Sequence, residues 1–194
     1  MTSSKDSALK ERAARVIPGG MYGHQSVTRL PDGFPQFFSR AEGAYLWDAD
    51  GNRLLDFMCA YGPQLFGYGN PAIDSAYVDQ LAIGDVMTGP SHLMVDLAEA
   101  LVSMISHADW AMFCKNGTDA NTIALMIARA HTRRTGVVRT RGAYHGAAPW
   151  SNPRAGGVTR ADQADQHLCD YNDVGSLEAA VAAAGDNLAV IFAT

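Results

Sequence analysis

One stretch, Phe113-Cys114-Lys115-Asn116-Gly117-Thr118-Asp119-Ala120-Asn121, restricts the fold more than any other: an apolar run enters a small polar turn and leaves it as an Ala-rich helix. Asn116-Gly117 permits a tight turn with left-handed backbone, and Thr118 can cap. A helix beginning just beyond would then present free N–H groups at the positive end of its dipole. Two readings are open at this point, a cradle for a phosphate-bearing ligand and an ordinary strand-turn-helix junction with a good cap. The neighbouring residues decide between them.

Trp110–Cys114 is a short apolar run suited to a buried strand. The helix, expected over 119–133, carries Ala120, Ile123, Ala124, Ile127 and Ala128 on one side, a small-residue face for close packing on a sheet. Val137–Thr140 is the next strand. Strand, helix and strand within about 30 residues predict a βαβ unit with parallel strands and a right-handed crossover. The turn at Gly117 then lies at a strand's C-terminal end, where ligands of open α/β sheets bind, and the phosphate reading gains. Tyr144-His145-Gly146 leaves the second strand at the same edge. A short strand at Leu168–Asp170, a helix capped by Asn172 and running to Ala184, and the continuous apolar strand Leu188–Ala193 follow. The sequence stops at Thr194, at the ligand end of that strand, so an incomplete α/β domain is expected.

Upstream, residues 5–16 read as a helix with Leu9, Ala13 and Val16 on one face, stopped by Pro18-Gly19-Gly20. The segment 21–36 is irregular, and Arg29 is its only cation. Phe37–Arg40, Ala44–Trp47 and Arg53–Asp56, with the turn signal Asp48–Asn52, predict a small antiparallel meander. Tyr61-Gly62-Pro63 and Phe66-Gly67-Tyr68-Gly69 are glycine-rich and aromatic; close approach to a ligand and an aromatic loop packed on the core are both open. Asn70-Pro71 starts a helix to about Leu81, and Pro90-Ser91 opens another with Leu93, Leu97, Leu101 and Ile105 at helical spacing. This divides the chain into an arm with its meander, 1–69, and the first part of an α/β domain, 70–194.

Composition removes several function classes. A net charge of −5 with no basic stripe excludes a nucleic-acid footprint. Met1–Asp6 is polar and contains no apolar signal core, and no apolar run reaches the roughly 18 residues of a membrane span. A cytoplasmic protein without membrane partners is expected. Cys59, Cys114 and Cys169 are odd in number, far apart and among apolar neighbours, which predicts reduced core residues and no metal site.

Pro18-Gly19-Gly20, Gly43-Ala44-Tyr45-Leu46-Trp47-Asp48-Ala49-Asp50-Gly51-Asn52, Gly62-Pro63, Asn116-Gly117-Thr118-Asp119-Ala120 and Tyr144-His145-Gly146 occur in that order over nearly the whole chain. This succession resembles class III pyridoxal-phosphate aminotransferases, most closely their glutamate-1-semialdehyde aminomutase-like branch. The resemblance implies fold type I: an N-terminal arm and small meander followed by part of a mostly parallel α/β cofactor domain. It implies pyridoxal 5'-phosphate as cofactor, with Asn116, Gly117 and Thr118 at the phosphate. Tyr144 would stack on the pyridine ring with His145 beside it, and His145 is also readable as a loop histidine that satisfies a backbone carbonyl. Arg29 and Tyr61 fall on the substrate side, Arg29 forked onto a carboxylate. The family's common Ser-Gly-Thr-Glu reads Asn116-Gly117-Thr118-Asp119 here.

The activity implied is amino-group transfer between a small amine or amino acid and a carbonyl compound, by transamination or 1,2-transfer, in a homodimer. The family's Schiff-base lysine and the aspartate that pairs with the pyridinium nitrogen come after the strand that ends at Thr194. The sequence has only Lys5, Lys10 and Lys115, and Lys115 is better placed as a point charge at the phosphate loop than as an imine partner. The alternative is therefore a non-catalytic fragment or subunit that binds a phosphate ligand or a partner chain without turnover.

Overall fold

The computed structural model describes residues 4–21, 26–152 and 156–193. Parts of the expected irregular stretches 21–36 and 147–167, and both chain ends, lie outside the described residues. The chain forms two compact units, Met1–Ser91 and His92–Thr194.

The first unit is built on buried carboxylates. Helix α1 (Lys5–Val16) is capped by Ser4, whose Oγ accepts from the Ser7 N–H at 3.1 Å. The Asp50 carboxylate accepts from the free N–H groups of Lys5 (2.7 Å) and Asp6 (3.2 Å) at the helix start. Asp6 itself is buried and accepts from the Gln36 and Phe37 amides, each at 2.9 Å, and from Lys10 Nζ at 2.8 Å. Burial pulls its carboxyl upward, but the Lys10 ammonium and the two amides outweigh that and hold it below the usual value. The expected Leu9, Ala13, Val16 face is only partly used, since Ala13 is buried and Val16 is exposed. Strands β1 (Phe38–Glu42), β2 (Tyr45–Asp48) and β3 (Arg53–Leu55) form the antiparallel meander, in the order β1-β2-β3. Asp48 Oδ1 shapes the turn by accepting from Asp50 N (3.0 Å) and Asn52 N (2.8 Å). Helix α2 (Pro71–Ile83) starts as expected, Asn70 Oδ1 accepting from Ala72 N at 3.1 Å.

The second unit opens with α3 (Leu93–Met104), and α4 (Gly117–Thr132) follows an irregular segment. Strands β4 (Gly136–Thr140), β5 (Gln166–Cys169) and β6 (Leu188–Phe192) form a parallel sheet in the order β5-β4-β6, with α5 (Val174–Ala184) crossing from β5 to β6. Val138, Cys169, Ala180 and Ala184 make the core under α5. Strand alternation puts Arg139 on the opposite face with its partner Phe192, the face to which α4 comes through β6.

Three expectations are corrected here. The run 110–114 is not a strand: it forms no ladder with a described strand, and Trp110 and Met112 are 63% and 55% exposed. The βαβ unit expected over 110–140 is therefore absent, and the parallel crossover is β5-α5-β6 instead. An apolar run becomes a strand only where another strand pairs with it, and none of the described strands pairs with this segment. Helix α4 also uses the expected face only in part. Ile123 and Ala128 are half-buried as expected, but Ala120, Ala124 and Ile127 are exposed, while Leu125 is buried and Thr118, Asn121 and Thr122 are half-buried, Asn121 and Thr122 with hydrogen-bond partners there. Finally, Asp173 and not Asn172 caps α5, its Oδ1 accepting from Ser176 N at 2.9 Å, while Asn172 lies in left-handed backbone at φ 57°. Of the cysteines, all free, Cys169 is buried and Cys59 and Cys114 are half-buried. No helix among the described residues is long and apolar enough to cross a membrane.

Candidate functional site

Asn116 is the cap of α4, in extended backbone (φ −156°, ψ 171°) and not in the left-handed turn that Asn-Gly permits. Its Oδ1 accepts from Asp119 N at 3.1 Å and its Nδ2 donates to Asp119 Oδ2 at 2.9 Å, so the two side chains close the helix start reciprocally. Gly117 already has helical backbone, and a Cβ there would meet nothing within 4 Å. Among the described hydrogen bonds none takes the N–H of Gly117 or of Thr118. The Thr118 hydroxyl accepts from Ala147 N at 3.1 Å and keeps its own hydrogen to donate.

The loop after β4 is fastened to this helix start. Gly146 sits at φ 120°, and a Cβ there would lie 2.8 Å from Thr118 Oγ1 and 2.9 Å from Thr118 Cα, so only glycine fits. Asn121 Nδ2 donates to the His145 carbonyl at 2.8 Å. Trp150 Nε1 donates to Thr122 Oγ1 at 3.1 Å, and that hydroxyl donates to the Thr118 carbonyl at 2.8 Å. These bonds bring Asn116, Gly117, Thr118, Tyr144 and His145 together without a formal βαβ unit. The result is a concave corner with two unclaimed amides, one available hydroxyl and the positive end of a 16-residue helix. This donor set fits an oxyanion with several acceptor oxygens.

Tyr144 follows β4 beside the corner and is 48% exposed. His145 is 5% exposed, its ring centroid is 5.8 Å from that of Phe192, and its Nε2 takes no partner among the described residues. Burial, and next the charge of Arg139, push its pKa below the ordinary histidine value, so the imidazole is neutral near pH 7. His145 therefore does not hold a carbonyl through Nε2. Sequence reasoning had Gly146 at this edge but missed Asn121, Thr122, Arg139 and Trp150 as parts of this corner. The signals were present: two adjacent polar residues within an otherwise apolar helix, and a charge inside the strand Val137-Val138-Arg139-Thr140.

Arg29 and Tyr61 belong to the first unit. Arg29 ends a short 3-10 turn, Val27–Arg29, and is exposed. Tyr61 is 65% exposed and lines a cleft of about 570 Å³ with Leu30, Phe34, Met58 and Tyr68. Cys59, Ala60 and Tyr61 take three successive positive φ values, 46°, 49° and 64°, a strained run of the kind that collects at functional sites. Across the same cleft Tyr68 donates to Asp56 Oδ2 at 2.8 Å. Burial and this carboxylate push the Tyr68 hydroxyl up to about 12.

The fold is that of the PLP-dependent transaminases of fold type I, in its N-terminal part. Over 97% of its length the chain superposes, with a TM-score of 0.90 and 53% identity, on 45% of the FumI protein of Sphingopyxis sp. MTA144, a structure in its PLP internal aldimine form. An omega-transaminase from Sphaerobacter thermophilus follows at a TM-score of 0.86 and 29% identity, over 98% of this chain and 47% of that one. Among curated relatives, the aminopentol aminotransferase of Sphingopyxis macrogoltabida is 53% identical over 193 residues, 100% of this chain and 45% of the relative. Residues 28–151 match the family model described as aminotransferase class-III. The chain belongs to the class III aminotransferase family. It spans about half the length of the relatives it matches.

Proposed function

We propose that these 194 residues form the phosphate-gripping part of a pyridoxal-phosphate-dependent transaminase that moves an amino group between an amine donor and a carbonyl acceptor. The observation that carries this reading is the corner itself, where Gly146 packs against Thr118 with no room for a Cβ and leaves the Gly117 and Thr118 amides and the Thr118 hydroxyl unclaimed. Similarity to an aminopentol aminotransferase and an omega-transaminase favours transamination over 1,2-transfer.

Bound there, pyridoxal phosphate would supply the electron sink for chemistry at the amine-bearing carbon. The chain's residues supply grip and orientation. The two amides and the hydroxyl hold the phosphate, and the helix dipole adds on the order of 1 kcal/mol beyond the direct bonds. Asn116 keeps the helix start closed and turns the Asp119 carboxylate aside by bonding it. Tyr144 lies flat on the ring. His145, buried, backs that loop. In the first unit, Arg29 forks onto a substrate carboxylate and Tyr61 lines the substrate side.

The lysine that attaches the cofactor is assigned outside these residues. Lys10 pairs with Asp6 at 2.8 Å and donates to the Phe34 carbonyl at 2.9 Å, Lys5 begins α1, and Lys115 precedes the helix cap. Residues 1–194 alone therefore bind the cofactor phosphate without turnover. We also assign a homodimer, a cytoplasmic location, and domains at 1–69 and 70–194, the last against a structural division at Ser91. Borohydride reduction of a mixture of the 194-residue chain with pyridoxal phosphate, followed by peptide mapping, tests the lysine assignment. No reduced lysine adduct is expected, and an adduct on Lys115 would overturn it.

A further inference from the structure

Arg139 lies in the middle strand of the parallel sheet, 5% exposed, on the face opposite the α5 core. Its Nε donates to Gln166 Oε1 at 2.7 Å, a neutral acceptor, and among the described residues no carboxylate lies within ion-pair distance of it. Its two Nη groups take no described hydrogen bond. One neutral amide is thus the only described hydrogen-bond acceptor of a largely buried side chain, and a charge removed from water is held best when paired and fully hydrogen-bonded. The buried atom of this layer that takes no partner among the described residues is Nε2 of His145.

A closed circuit of contacts joins the two. Arg139 bonds Gln166, and the Gln166 amide donates to the Trp150 carbonyl. The Trp150 ring lies 5.0 Å from Phe192, Phe192 lies 5.8 Å from His145, and Phe192 is the strand partner of Arg139. The groups that meet this layer from β5, β6, α4 and the loop are Gln166, Phe192, Thr122 and Trp150, none of them charged. Among these described groups Arg139 is the single charge, and the cradle at Gly117 and Thr118 is a separate set of donors.

We propose that Arg139 and His145 are two sides of a buried oxyanion site beneath α4 that takes one carboxylate-like group, either a small anion from solution or an acidic side chain of polypeptide beyond these 194 residues. The chemistry is shared by both sources: two oxygens forked onto the free Nη groups, one of them in reach of a protonated His145 Nε2. The proposal does not depend on pyridoxal phosphate binding at the cradle.

The test is a pH titration of cofactor-free, full-length protein labelled with [13Cε1]histidine, in low-salt zwitterionic buffer and again with formate. The His145 resonance is assigned by its loss in His145→Gln. An occupying anion stabilises the imidazolium, so the His145 midpoint should lie above that of an ordinary histidine. A raised midpoint without formate identifies an acidic side chain as the source, and a rise only on adding formate identifies a free anion. In Arg139→Lys the response should persist, and in Arg139→Gln it should vanish. A midpoint below the ordinary value with and without formate overturns the proposal. So does a response that survives Arg139→Gln, or one produced by pyridoxal phosphate and not by formate. Should Arg139→Gln fail to fold, the wild-type and Arg139→Lys titrations decide on their own.

Discussion

Gly146 is the residue on which the corner depends most, because its missing Cβ lets the loop after β4 reach the start of α4. Gly146→Ala combines a positive φ with contacts of 2.8 Å and 2.9 Å to Thr118, and should cost roughly 1–3 kcal/mol of stability, read by urea unfolding. Thr118→Val removes the acceptor of the Ala147 N–H and the hydroxyl offered to a phosphate. It should weaken pyridoxal phosphate binding about tenfold or more, while Thr118→Ser should retain most of it, both read by fluorescence titration. At this scale the turn chemistry expected of Asn116-Gly117 is what the structure corrects. Asn116-Gly117 is no left-handed turn, and the positive φ that the corner needs belongs to Gly146. The local pattern of Asn-Gly holds equally for a cap, and only the loop packed on it distinguishes the two.

Among elements, α4 shows where hydrophobic periodicity misleads. Its small-residue side looked like the packed one, yet Asn121 and Thr122 face inward because the His145 carbonyl and the Trp150 indole await them. A buried backbone carbonyl or indole N–H left unpaired would cost more than an exposed alanine. Asn116→Ala should destabilise α4 by about 1 kcal/mol, seen as lowered hydrogen-exchange protection over its first turn. For α1, packing rests on a carboxylate that no apolar pattern announces. The Asp6 carboxyl is held below its unfolded value, so its contribution is present above that value and is lost as pH falls through the folded one. Asp6→Asn should cost about 2 kcal/mol at neutral pH and flatten the acid limb of a stability profile as pH falls below the ordinary aspartate range.

For the whole molecule, the order of elements, the meander and the three parallel strands could be read from sequence, because turn chemistry and apolar runs act locally. What could not be read was pairing. Residues 110–114 have the composition of a buried strand and remain unpaired and exposed, since a ladder partner is a property of the assembled sheet and not of the run. Exposed apolar side chains in the first unit, such as Phe57, Leu65 and Phe66, likewise have no local signal that separates them from a core. Under the proposed function, a phosphate group held at Gly117 and Thr118 would supply most of the grip on the cofactor. The direct measurement is a paired equilibrium titration of the cofactor-free protein with pyridoxal 5'-phosphate and with pyridoxal, in the wild type and in Thr118→Val. The phosphate ester should bind the wild type about 100-fold or more tighter than pyridoxal, as expected for several charge-assisted hydrogen bonds at a helix N-terminus, and Thr118→Val should remove a large part of that advantage. Equal binding of the two ligands, or an advantage that Thr118→Val leaves untouched, would contradict the account.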